Sequence, residues 1–125
     1  MNAHTRSPAV AGTFYPKQPG QLRAMIDGLI ADTIGVDARG VRAIIAPHAG
    51  YVYSGPVAAK AVSALRNHKG EIRRTRLLGP AHYVPFTGIA VPSVSSFATP
   101  LGELPVIRAA IAGIEALPQI VMNDA

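Results

Sequence analysis

Ala43-Ile44-Ile45-Ala46-Pro47-His48-Ala49-Gly50-Tyr51-Val52-Tyr53-Ser54-Gly55-Pro56 is the stretch whose reading decides the fold. Its first four residues are an apolar run with the length and composition of a buried strand, and Pro47, which has no N–H to give to a ladder, stops it. His48 is then expected at a strand's end. Gly50 and Gly55 loosen the backbone around two tyrosines, Ser54 stands where a helix N-cap belongs, and Pro56 falls in the first helical turn. The unit reads strand, loop, helix. In open α/β sheets ligands collect beyond the carboxyl ends of the strands, so a histidine there points to a site rather than to a core.

The design recurs about one helix further on. The segment after the loop places Val57, Ala61, Val62 and Leu65 on one helical side and Lys60, Ser63 and Arg66 on the other, with His68-Lys69-Gly70 as its end. Thr75-Arg76-Leu77-Leu78 then has strand composition, and Gly79-Pro80-Ala81-His82-Tyr83 repeats strand, proline and histidine. A strand, a helix and a strand of these lengths predict a right-handed βαβ unit with parallel strands. Neighbouring strands lie about 4.8 Å apart, so loops leaving their carboxyl ends can bring His48 and His82 to one small volume.

The flanks fit an α/β arrangement. Residues 6–16, with two prolines and a glycine among apolar residues, read as an extended arm anchored by Phe14 and Tyr15. From 18 to 33, Leu22, Met25, Ile26, Leu29 and Ile30 follow the i, i+3, i+4, i+7, i+8 spacing of one helical face, and Gly35 is placed to stop that helix before a polar turn over 36–40. The first strand is expected over 41–46. Beyond the second histidine, Gly88-Ile89-Ala90-Val91-Pro92 reads as a strand and 94–98 as another extended piece. Thr99-Pro100-Leu101-Gly102 is a turn, 105–116 carries a weak helical pattern, and 119–122 begins a strand.

With 125 residues, 49% of them apolar and 15% charged, the chain suits one globular domain rather than a disordered segment. Twelve Lys and Arg against seven Asp and Glu give a formal charge of +5, enough to aid solubility but not to name a partner. There is no cysteine, which excludes disulfides, thiolate ligands and thiol nucleophiles from these residues. No apolar run approaches the roughly 18 residues of a membrane span, and the first ten residues lack a signal-type apolar core, so a cytoplasmic location is the default expectation.

Two imidazoles on convergent loops are half of a typical open metal site. The third ligand of a facial-triad iron centre would be a carboxylate, and Asp32, Asp37, Glu103 and Asp124 are the available acids, none marked by its spacing. The plainer role for each histidine is a hydrogen bond that fastens its loop. Tyr51, Tyr53 and Tyr83 flank the histidines as pocket walls or proton donors, or simply pack against the loops. Ser54 reads as a cap rather than a nucleophile. Neither the Walker spacing nor the dinucleotide fingerprint is present. Arg66, His68, Lys69, Arg73, Arg74 and Arg76 form the densest basic cluster; without interleaved aromatics it reads as a solvated face rather than a nucleic-acid surface.

Arg42-Ala43-Ile44-Ile45-Ala46-Pro47-His48-Ala49-Gly50-Tyr51, with Leu78-Gly79-Pro80-Ala81-His82, the opening 7–16 block Ser-Pro-Ala-Val-Ala-Gly-Thr-Phe-Tyr-Pro and Thr99-Pro100-Leu101-Gly102, resembles the Memo family, whose microbial members are labelled protein B of the AmmeMemoRadiSam system. The resemblance implies an α/β fold like that of class III extradiol dioxygenases, with a mostly parallel central sheet, flanking helices and a metal site at one end of the sheet. In that fold the chain is an N-terminal portion, a single domain over 1–125 with the C-terminal part absent. His48 and His82 match the family's first two metal-site histidines; the later Asp and His, and a cysteine in some members, have no counterpart here. The resemblance further implies iron (Fe2+) or copper, weakly held by two imidazoles alone, and an oxidoreductase acting on a small aromatic substrate. The alternative is a non-enzymatic module that binds a peptide or protein in the same cleft. A homo-oligomer is a further expectation.

Overall fold

The computed structural model describes residues 4–33 and 38–124. The expected helix stop at Gly35, the candidate acid Asp37 and the first part of the 36–40 turn lie outside the described residues. The fold is α/β, and it divides into two compact units. One is formed by Ala9–Arg76 and the other by Met1–Pro8 with Leu77–Ala125.

The first unit is helical. α1 covers Pro19–Ala31, with Gln18 at the N-cap position and Asp32 at the C-cap. Its expected apolar face holds: Leu22 is buried, and Met25, Ile26, Leu29 and Ile30 are half-buried. The Arg66 guanidinium donates to the Ile30 carbonyl at 3.0 Å and to Thr33 Oγ1 at 3.1 Å, so one member of the basic cluster closes the end of α1. A cation there also suits the negative end of the helix.

α2 covers Tyr51–Ser63 and packs on α1. It begins a turn earlier than the sequence suggests. Gly50 is its N-cap, and the Gly50 carbonyl already accepts the amides of Tyr53 and Ser54 at 2.9 and 3.0 Å. Ser54 is therefore the fourth helical residue and no cap, and Pro56 lies inside the helix. The expected apolar stripe also moves. Val57 and Val62 are exposed, whereas Ser54, Gly55, Ala59 and Ser63 are buried. Small side chains win because close helix packing rewards them: a Cβ on Gly55 would stand 2.8 Å from Leu29 Cδ1. A 3₁₀ turn over Arg66–His68 follows, and His68 Nδ1 meets Glu71 Oε2 at 3.2 Å.

The second unit carries the strands. β1 (Thr5–Arg6) runs parallel to β3 (Ser96–Thr99), and β3 turns into antiparallel β4 (Gly102–Pro105). The turn read at Thr99-Pro100-Leu101-Gly102 is the hairpin connection, tied by Thr99 Oγ1 donating to the Gly102 carbonyl and accepting the Leu101 amide. β2 (Ile89–Val91) pairs in parallel with β5 (Ile120–Met122), and the short α3 (Arg108–Ala112) precedes β5. The parallel character expected of the sheet holds for β1 with β3 and β2 with β5; the β3–β4 hairpin adds an antiparallel pair. Val91, Val94 and Ile111 are the buried apolar side chains here.

Gly88 makes the β2–β5 pairing possible. Its φ is +102°, and an added Cβ would fall 2.2 Å from the Gln119 carbonyl oxygen, the acceptor of the Ile89 amide at 2.7 Å. At the other end of β2, the Asp124 carboxylate accepts the Ser93 amide at 2.6 Å and the Ser93 hydroxyl. Arg108 donates to the Pro92 carbonyl at 2.6 Å, so this corner is gripped from two sides.

The strands expected over 41–46 and 75–78 are not formed among the described residues. Ile45 is 98% exposed, Leu77 92% and Leu78 83%. Strand composition alone does not make a strand, because each N–H and C=O of a ladder needs a neighbouring chain, and no described residue supplies one to either run. The expected strand, helix, strand unit is accordingly represented by its helix.

Candidate functional site

The block that carries His48 is held from two directions. The Tyr51 amide donates to the Phe14 carbonyl at 2.8 Å, fastening the start of α2 to the opening Phe14-Tyr15-Pro16 segment. The Ser54 hydroxyl, buried in the second turn, donates to the Ala49 carbonyl at 2.8 Å. Gly50 lies close to the same segment: a Cβ there would sit 3.5 Å from both the Cα and the carbonyl oxygen of Phe14. The residues that follow His48 therefore have fixed backbone positions, while the histidine itself is exposed.

The arm over residues 6–16 is more structured than an extended strap. Val10 accepts the amides of Thr13 and Phe14 at 3.2 and 2.9 Å, and Gly12 donates to the Tyr15 carbonyl at 2.7 Å, making a compact double turn. Its aromatic anchor is confirmed in Tyr15, whose ring lies 5.5 Å from that of Tyr51, tilted by 46°. Burial, and then the neighbouring Tyr51, push the Tyr15 phenol above its ordinary range. Beside this contact an open hollow of about 400 Å³ is lined by Thr13, Phe14, Tyr15, Lys17, Gln21 and Met25, among others. The sequence reading missed the hollow; the signal for it was the Phe-Tyr-Pro triplet followed at once by a helix start.

The tyrosines named with the histidines differ in exposure. Tyr51 is half-buried against Tyr15, as a packing residue would be. Tyr53 and Tyr83 are 85% and 86% exposed and present bare aromatic surface. His82 is exposed in a bend just before Tyr83. His48 belongs to the helical unit and His82 to the stranded unit.

Two of the candidate carboxylates, those of Asp124 and Glu103, bond to serines. Asp124 holds Ser93; the Ser93 hydroxyl and amide keep its carboxyl below the usual carboxylate range. Glu103 accepts the Ser96 hydroxyl at 3.1 Å, and Asp32 ends α1. Among the described residues no group of three or more His, Cys, Asp or Glu side chains gathers as a metal set. The donor type of His48 and His82 fits a borderline metal ion, but the described residues do not complete a centre for it. No helix among them is long and apolar enough to cross a membrane.

Comparison with known proteins bears on the same residues. The profile of the family described as Memo, Memo-like protein, matches residues 6–125. Among curated relatives, a MEMO1 family protein of Pyrobaculum arsenaticum is 41% identical over 108 residues, covering 81% of this chain and 38% of the relative. Protein MEMO1 of Mus musculus is 39% identical over 99 residues, covering 79% of this chain and 32% of the relative. A MEMO1 family protein of Nitrosopumilus maritimus is 36% identical over 102 residues, covering 78% and 36%. The chain thus spans about a third of the length of the relatives it matches.

Proposed function

Because this chain belongs to the Memo family, we propose that it carries part of a mononuclear metal site in which His48 and His82 are imidazole ligands of iron or copper. The observation that carries this reading is the fastening of the Pro47-His48-Ala49-Gly50-Tyr51 loop by the Phe14 carbonyl and the Ser54 hydroxyl. A ligand loop gains affinity when its backbone is fixed in advance, since less ordering entropy is lost on binding. The remaining ligands come from outside the described residues, which is why two imidazoles alone hold an ion weakly. In the oxidoreductase reading, His48 and His82 would hold iron, which would supply the redox chemistry for reaction of dioxygen with a small aromatic substrate, as in extradiol dioxygenases. Exposed Tyr53 and Tyr83 are the aromatic surfaces available to stack on such a substrate.

The test is metal analysis of the Memo-length assembly beside its His48→Ala/His82→Ala variant. A fall in bound iron or copper in the variant supports the reading, and equal metal in both removes it. Steady oxygen uptake with catechol-type substrates by the iron-loaded protein supports the enzyme. The second reading, a non-enzymatic peptide-binding module, is favoured by the same bare tyrosines. Peptide binding without any oxygen uptake would select it.

A further inference from the structure

The sequence contains neither tryptophan nor cysteine, so the four tyrosines, Tyr15, Tyr51, Tyr53 and Tyr83, are its readiest donors of a single electron. Methionine instead takes up oxygen and becomes a sulfoxide. Two of the tyrosines touch, and both belong to the helical unit. The rings of Tyr15 and Tyr51 have centroids 5.5 Å apart and are tilted by 46°, within the range of a packed aromatic pair. Both backbones are held in place before any reaction. The Tyr51 amide donates to the Phe14 carbonyl at 2.8 Å, and the Tyr15 carbonyl accepts the Gly12 amide at 2.7 Å. Tyr15 is half-buried and also lines the open hollow, which gives water a route to its phenol.

We propose that Tyr15 and Tyr51 form an oxidative cross-linking site, at which a one-electron oxidant acting on each phenol joins the two rings in a dityrosine bond. Each phenol gives its electron to the oxidant and its proton to water. The two phenoxyl radicals then couple through a carbon–carbon bond between ortho positions, and each ring regains aromaticity as its ortho proton passes, through water, to its own oxygen. The product is lighter by two hydrogens, and two equivalents of oxidant are reduced. Two separate phenols must meet by diffusion, whereas this pair is already in contact, so coupling is intramolecular. The new bond closes residues 15 to 51 into a ring that contains α1, and it ties the first residue of α2 to the opening turn. Such a link restricts the unfolded chain as a disulfide does, in a sequence with no cysteine to make one. The site requires no metal at His48, so its failure and the failure of the metal reading are separate results.

The experiment oxidises the dilute 125-residue chain with photogenerated tris(bipyridyl)ruthenium(III), persulfate taking up the two electrons and being cleaved to two sulfates. Dityrosine fluorescence, intact mass and mapping of cross-linked peptides are the readouts. The expected product is a monomer lighter by two hydrogens, with a single link between residues 15 and 51. Tyr15→Phe and Tyr51→Phe keep the ring and its packing, which unchanged helical circular dichroism verifies, and each should lower monomer-borne dityrosine by ~10-fold or more. Tyr53→Phe and Tyr83→Phe should leave it unchanged. Oxidation in urea, where the contact is lost, should lower the 15 to 51 link to a similar degree. Dityrosine found only between chains, a monomer link that omits residue 15 or 51, or a yield that urea leaves unaltered would each overturn the proposal. Consumption of tyrosine without any dityrosine would overturn it as well.

Discussion

Replacing Gly88 by alanine is expected to unseat β2 from β5. The new Cβ would stand 2.2 Å from the Gln119 carbonyl oxygen and 3.1 Å from its carbonyl carbon. The obstacle is backbone rather than the tip of a flexible side chain, so roughly 1 Å of main-chain retreat is required to restore van der Waals contact. That retreat lengthens the 2.7 Å bond from the Ile89 amide to the same oxygen. An L-residue held at φ +102° costs about 1–3 kcal/mol, and the lost hydrogen bond about 1 kcal/mol. The sum, about 3 kcal/mol, is a large share of the roughly 5–15 kcal/mol that holds a small domain together. Urea unfolding reads the loss directly, and amide exchange at Ile89, Ala90 and Val91 should quicken by about 100-fold. A Gly88→Ala protein within about 0.5 kcal/mol of the parent, with unchanged exchange in β2, would refute the steric argument.

Ser54→Ala removes the bond to the Ala49 carbonyl; a loss of about 1 kcal/mol in denaturant unfolding is expected, with faster exchange at the start of α2. Arg66→Ala strips the Ile30 carbonyl and Thr33 of their guanidinium partner; about 1 kcal/mol and fraying of the last turn of α1, read by exchange at Ile30 and Ala31, are expected. Asp124 has a depressed folded pKa, caused first by the Ser93 hydroxyl and then by the Ser93 amide. Its stabilisation is therefore present above the unfolded value, about pH 4, and is lost as pH falls through the lower folded value. Asp124→Asn should flatten that acid limb of the stability profile, and an unaltered limb would count against the clamp. Tyr15 shifts the other way, by burial and then by Tyr51, so in a tyrosinate absorbance titration Tyr15→Phe should remove a component that ionises above the ordinary tyrosine range.

Local signals in the sequence survived folding where the interaction that satisfies them is also local. The Leu22, Met25, Ile26, Leu29 and Ile30 spacing gave the inward face of α1, because a helix bonds to itself. Ile89–Val91 and Ile120–Met122 were legible as strands and found each other. The 41–46 and 75–78 runs had equally clear composition and no described partner, since a ladder is a contract with another chain segment. Ser54 misled because a serine two residues before a proline mimics a helix start; here it donates backwards to Ala49 from inside the helix, a local bond that such residues also favour. In α2 the large residues Val57 and Val62 suggest the inward stripe, whereas close packing on α1 selects Gly55 and Ala59. β1 and β4 were too short and too polar to announce themselves. Of the site, the pinned histidine block was legible as a motif, while the hollow beside Tyr15 needed the turn over Val10 to be seen.

The most direct measurement is the copper electron paramagnetic resonance spectrum of the chain assembled with the rest of a Memo-length polypeptide, recorded alongside His48→Ala and His82→Ala. Two imidazole nitrogens on one ion are expected in the parent, and each single substitution should remove one of them. A parent spectrum unchanged by both substitutions would contradict a centre shared by His48 and His82.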